Sequence, residues 1–178
     1  MTMEIFVLGI VLAAILLIFI PTLATKASPL PTSRAVRETM LAMLPDAIDG
    51  SIYELGSGWG GLARALARRY PETPVLAFEV SPLPWAFARV RQAFGGPGNL
   101  TFTLGDFHRA GLGGAGLVVS YLPPPAMEKL KPKLAAEMPP GALVLSNTFA
   151  IRDWRAVDEK TAADQHLSRV YLYRVGES

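Results

Sequence analysis

The chain has 178 residues, 51% of them hydrophobic, a formal net charge of +2 and no cysteine. That length holds one domain of about 100 to 200 residues plus an accessory segment, and the lack of cysteine excludes disulfides, thiolate zinc sites and a cysteine nucleophile. Its histidines, His108 and His166, lie too far apart in sequence to suggest a histidine-rich metal centre, and scattered Lys and Arg give no clustered footprint for nucleic acid, which is not expected as a partner.

From Ile5 to Ile20 every residue is apolar or Gly, and the run continues to Leu23 and Ala24. About twenty residues at helical rise cover roughly 30 Å, the hydrocarbon thickness of a bilayer. A buried core helix would carry a polar face, which this run lacks. A cleaved signal peptide is the competing reading, but it normally starts with positive charge. Here Glu4 precedes the run and Lys26, Arg34 and Arg37 follow it. The expectation is one N-terminal transmembrane helix, with the remainder of the chain on the cytoplasmic side by the positive-inside rule.

Ser28 to Ser33 carries Pro29 and Pro31 and cannot continue a helix, so it reads as a linker. Ser33 is placed to cap a helix running to about Leu44, with Val36, Met40 and Met43 or Leu44 on one face. Beyond Pro45 short β-like runs alternate with helical stretches. Strands are predicted over Ser51 to Leu55, Val75 to Val80, Leu100 to Leu104, Leu117 to Tyr121, Ala142 to Asn147 and Ser168 to Val175. Helices are predicted over Gly61 to Tyr70, Pro84 to Phe94 and Pro125 to Met138. The second of these is expected to bury Phe87, Val90 and Phe94, the third Met127, Leu130 and Leu134. Such alternation implies parallel βαβ units and an α/β fold.

Three strand ends carry chemistry. Glu54-Leu55-Gly56-Ser57-Gly58-Trp59-Gly60-Gly61 joins the first strand to the first helix, and its glycines let the backbone turn sharply and approach a ligand at the carboxyl edge of the sheet. The same spacing suits a tight turn without ligand, and Gly61 meets the third position of a dinucleotide fingerprint. Glu79 ends the second strand, where a carboxylate can accept from both hydroxyls of a ribose or simply be solvated. Gly105-Asp106-Phe107 closes the third strand. There Asp106 can accept from an adenine amino group beside the backbone or ring of Phe107, or can cap the following segment.

These residues together make the chain resemble the class I S-adenosylmethionine-dependent methyltransferases over roughly Pro31 to Phe149. The resemblance implies a Rossmann-like fold, a mainly parallel twisted sheet with flanking helices, in which the glycine loop (Glu54, Gly56, Ser57, Gly58, Gly60) holds the methionine portion, Glu79 the ribose, and Asp106 with Phe107 the adenine. It divides the chain into a transmembrane anchor over 1–25, a linker and pre-domain helix over 26–45 and an S-adenosylmethionine-binding domain over 46–178.

A narrower resemblance rests on the hydrophobic N-terminus, Pro31-Thr32-Ser33, Ser81-Pro82-Leu83-Pro84-Trp85, and Tyr121-Leu122-Pro123-Pro124-Pro125-Ala126-Met127 before a Lys-rich helix. In these the chain is similar to the protein-lysine methyltransferases that modify the mitochondrial ATP synthase c subunit, and to their prokaryotic relatives. It departs from them at Trp59, where they usually carry an acid, and in two residues added before Trp85. The similarity implies a role for Thr32 at the cofactor and a protein lysine, on a membrane or near it, as methyl acceptor. A lipid, quinone or other small molecule is the competing acceptor. Ser120 and Tyr121, at the end of the fourth strand, stand where amino-methylating relatives position the acceptor, although Tyr121 also suits core packing. Methyl transfer of this kind is in-line displacement that needs alignment of an uncharged nucleophile.

Overall fold

The computed structural model describes residues 3–9, 11–12 and 31–177. Among them no helix is long and apolar enough to cross a membrane. Residues 3–9 and 11–12 are helical and exposed, and most of the span expected over 1–25 lies outside the described residues.

Ser33 caps the first helix, α1 (Arg34–Ala42), by accepting from the Val36 amide at 3.3 Å. The helix stops two residues short of the expected Leu44, but Val36, Met40, Met43 and Leu44 are all buried in the main hydrophobic cluster. At about 1.5–3 kcal/mol for each such side chain, that burial fixes α1 against the sheet.

Seven strands form one sheet in the order β3-β2-β1-β4-β5-β7-β6. β1 (Ser51–Leu55), β2 (Val75–Glu79), β3 (Leu100–Leu104), β4 (Ala115–Ser120) and β5 (Leu143–Asn147) run parallel, while β7 (Arg169–Arg174) pairs antiparallel with β5 and with β6 (Asp158–Thr161). This is the mostly parallel Rossmann-like architecture. The chain winds outward from β1 to β3 and then returns to β4 on the other side of β1, so the order reverses between β1 and β4. At such a reversal the connections diverge and leave a crevice beyond the carboxyl ends of the strands.

Side chains alternate across the sheet. Ile52, Val75, Ala77, Leu117, Val119 and Leu145 pack with α1, α2 (Gly61–Arg69) and α3 (Pro82–Ala93). Tyr53, Leu55, Val118 and Val144 pack on the opposite side with Met127, Leu130 and Leu134 of α4 (Pro124–Glu137), as the helical spacing anticipates. At the amino-terminal edge of the sheet the Asn99 amide donates to the Ala67, Tyr70 and Thr73 carbonyls at 3.2, 2.8 and 2.7 Å, tying the end of α2 and the turn into β2 to the start of β3.

Two features differ from expectation. Phe87, Val90 and Phe94 are not buried: they are 48%, 59% and 86% exposed, and Pro84 and Ala88 face inward instead. The cause is the close approach of α3 to the glycine loop, where a Cβ added at Gly60 would lie 3.0 Å from the Ala88 Cβ. Only small side chains fit that gap, so the register turns the large ones outward, and Trp85 packs at the edge with its indole N–H donating to the Phe102 carbonyl at 3.3 Å. The second is β6, an edge strand of sequence Asp-Glu-Lys-Thr. Its pairing to β7 owes nothing to apolar alternation, and charge on such an edge discourages pairing with other chains.

Candidate active site

The carboxyl end of β1 opens into a loop whose backbone makes its own scaffold. The Gly56 and Ser57 amides both donate to the Phe78 carbonyl of β2, at 2.9 and 2.8 Å, and the Gly60 amide donates to the Ser57 carbonyl at 2.9 Å. Gly60 sits in the left-handed region at φ 74, and a Cβ there would lie 2.5 Å from the Phe102 ring, so a side chain is excluded on both counts.

Glu79 lies buried under this loop. Its Oε2 accepts from the Gly58 amide and its Oε1 from the Ser81 amide, both at 2.7 Å. One carboxylate thus pins the β1–α2 loop to the β2–α3 turn. Each oxygen retains a lone pair, so the brace leaves acceptor capacity for ligand hydroxyls.

Glu54 shares the face of Glu79 but has no such provision. It is buried, and its Oε2 has no hydrogen-bond partner among the described residues. Burial pushes its carboxyl up to about 8; a hydrogen bond with the Ala63 backbone opposes the rise and the nearby Glu79 charge adds to it. The Ser57 and Ser120 hydroxyls are likewise buried without partners. A buried polar atom left unpaired costs about 1–3 kcal/mol, and two of them, on Glu54 and Ser57 at the end of β1, mark the place where the fold leaves polar groups for something else to satisfy.

A cleft of about 150 Å³ opens there, and Thr32, Glu54, Gly56, Ser57, Gly58 and Tyr121 all contribute to its wall. Those six sequence-predicted residues are brought together. Gly60 stands behind them as the cap of α2, and Glu79 beneath them. Asp106, Phe107 and Ser120 do not line this cleft. Asp106 is exposed at the tip of β3 and caps the 3-10 turn Phe107–Arg109, its Oδ1 accepting from the His108 amide at 2.9 Å. Phe107 is buried in the cluster beneath α4. Ser120 pairs with Leu55 across the β1–β4 ladder and so points to the α4 side of the sheet, away from Glu54.

Three contributors escaped the sequence reading. Trp59, noted there only as a departure from the relatives, lines the cleft and meets the Phe87 ring edge to face at 5.4 Å. Arg91 of α3 lines the same cleft. Phe149, just past β5, stacks on Tyr121 with ring centroids 6.1 Å apart and planes 19° from parallel. The one sequence signal for Phe149 is its place as an aromatic at a strand's carboxyl end.

Residues 54–158 match the family model of the ANTKMT methyltransferase domain. A protein-lysine N-methyltransferase of Saccharolobus islandicus is 29% identical over 154 residues, covering 83% of this chain and 92% of the relative. An adenine nucleotide translocase lysine N-methyltransferase of Mus musculus is 28% identical over 127 residues, 71% of this chain but 54% of that protein. Among solved structures, an RNA methyltransferase from Salinibacter ruber in complex with S-adenosyl-L-homocysteine superposes with a TM-score of 0.74 at 27% identity, over 84% of this chain and 95% of that one.

Proposed function

The chain belongs to the family of the ANTKMT methyltransferase domain, and from that membership we propose that it is an S-adenosylmethionine-dependent protein-lysine N-methyltransferase acting on a membrane-held or membrane-proximal protein. The single observation that carries the choice of methyl donor is the buried Glu54 Oε2, without a hydrogen-bond partner among the described residues, in the cleft wall. A ligand bearing an ammonium supplies the counter-charge that the ionised form of this acid needs in so buried a position. The neighbouring Ser57 hydroxyl and the Gly56 and Gly58 carbonyls offer hydrogen bonds beside it. S-adenosylmethionine fits that donor set, and when bound it supplies an electrophilic methyl group on a sulfonium.

The chain's own residues then have distinct tasks. Glu79 holds the loop in shape and accepts from ribose hydroxyls. Asp106, one strand farther along the edge, accepts from the adenine amino group with the oxygen capacity its cap leaves over, beside the Phe107 backbone. Thr32 closes the cleft from the α1 side. Tyr121 positions the acceptor, which must arrive as an uncharged amine; the Tyr121–Phe149 ring pair favours that form because an apolar wall disfavours the ammonium.

Lysine in a protein is preferred over RNA as acceptor because a formal charge of +2 gives no backbone-neutralising surface, and because the Saccharolobus islandicus relative, matched over 92% of its length, is named for protein lysine. The apolar run of residues 5–24 is read as an anchor that keeps the domain at the cytoplasmic side of a membrane, raising the local concentration of membrane targets. Incubating the full chain with methyl-labelled S-adenosylmethionine and native membranes tests the proposal. Label recovered as methyl-lysine after protein hydrolysis supports it, and label found only in extracted lipid or quinone overturns the lysine assignment.

A further inference from the structure

We infer that the mouth of the cleft faces a lipid bilayer and that the outer side of α3 rests on its surface. The inference builds on the anchoring read above and adds an orientation to it.

Leu83, Phe87, Val90 and Phe94 recur at helical spacing and fall on one line along α3, opposite the inward Pro84 and Ala88. Phe87, Val90 and Phe94 are all largely exposed. An apolar stripe on a helix whose other side already packs on the core marks a surface that is covered in the working protein. Its borders are cationic: Arg91 flanks it on the cleft side and Arg89 on the other, both exposed, and the helix contains no Asp or Glu. Aromatic and aliphatic side chains in a row, edged by arginine and free of acid, match the headgroup layer of an anionic bilayer, which takes the apolar groups at the acyl boundary and the guanidinium groups among phosphates.

The position of the stripe selects the bilayer over another occupant. Phe87 touches Trp59, and Trp59 and Arg91 both line the cleft, so the stripe borders its mouth. Pro31 and Thr32, where the domain begins, line the same cleft. Seven residue steps separate the end of the apolar run at Ala24 from Pro31, a reach of at most about 25 Å even when fully extended. With the run in the membrane, the rim carrying Pro31 cannot leave the bilayer by more than that distance, and α3 lies on this rim. The orientation brings the transfer cleft to the level at which a lysine at the end of a membrane-embedded helix projects.

Because the chain has no cysteine, single-cysteine probes report position cleanly. The full chain, carrying an environment-sensitive fluorophore at Phe94→Cys or Val90→Cys, is reconstituted with vesicles of phosphatidylcholine and phosphatidylglycerol; the same label at Lys129→Cys on α4 is the reference. The expected result is a blue shift and quenching by brominated lipid at 90 and 94, with aqueous emission at 129. Equal, water-like emission at all three positions while the chain sediments with the vesicles overturns the orientation but leaves the anchoring intact. A chain that stays in the supernatant overturns both. A blue shift at 94 in detergent without lipid, accompanied by doubled mass, identifies a second copy as the occupant and also overturns the proposal.

Discussion

Glu54 and Glu79 project from the same face of adjacent strands, yet only Glu79 has both oxygens paired: each accepts a backbone amide at 2.7 Å, whereas Oε2 of Glu54 is buried with no partner among the described residues. Two carboxylates at one sheet edge thereby acquire opposite properties. Glu79 is part of the scaffold, and burial raises the Glu54 carboxyl to about 8.

The first prediction concerns pH. The Glu54 carboxyl is raised from 4.5 to about 8 in the folded chain, so between those values the native state holds a proton that the unfolded state has released. Its contribution to stability is therefore full below about 4.5, declines by a few kcal/mol as pH rises toward about 8, and is constant above. Glu54→Gln removes that decline, measurable as a flatter profile of melting temperature against pH. For the cationic methyl donor the sign reverses. Binding needs the ionised acid, so it releases a proton below about pH 8, and affinity weakens by up to about tenfold per pH unit of acidification. Calorimetry in buffers of different ionisation enthalpy reads the proton directly, and a pH-independent affinity would sink the assignment of Glu54.

Glu79→Gln has a different signature. An amide side chain can accept at only one end, so the buried Gly58 or Ser81 N–H loses its partner, at a cost of about 1–3 kcal/mol. Urea denaturation is expected to show that loss at every pH, together with weaker donor binding. Glu54→Gln is expected to weaken donor binding without destabilising the protein above pH 8.

At Gly60 substitution by Ala meets two penalties: a left-handed backbone at φ 74 and a Cβ 2.5 Å from the Phe102 ring. Together these amount to about 2–4 kcal/mol. The midpoint of denaturation is the measurement, and a change smaller than about 1 kcal/mol would mean that the loop has another conformation open to it.

Phe149→Ala removes the ring stacked on Tyr121. An aromatic pair is worth about 0.5–1.5 kcal/mol, which corresponds to a fall in kcat/KM for the acceptor of about 2-fold to 13-fold. Donor affinity by calorimetry is expected to stay unchanged, because Phe149 does not line the cleft beside Glu54. Loss of donor binding in this variant would contradict a role at the acceptor side.

What could be read from the residue string alone was local. The glycine loop is legible because Gly56, Gly58 and Gly60 stand between a β-like run and a helical one, and Glu79 because it ends the next run. The isolation of Glu54 is not legible, since it depends on which atoms of α2 and the neighbouring strand crowd around it. The outward turn of Phe87, Val90 and Phe94 follows from a clearance between Ala88 and Gly60, residues 28 apart in the chain. Periodicity identifies the apolar stripe on that helix and is silent about which side meets the sheet. The Tyr121–Phe149 pair is a matter of β4 lying beside β5, and β6 carries no apolar alternation to find.

The triple anchorage made by Asn99 lies at the far margin of the sheet from the cleft. The end of α2 and the turn into β2 are consequently held from the rear, by a side chain outside the cleft wall. That margin and the cleft share no side chain, so a substitution at Asn99 bears on the robustness of the fold and not on the wall that meets a ligand.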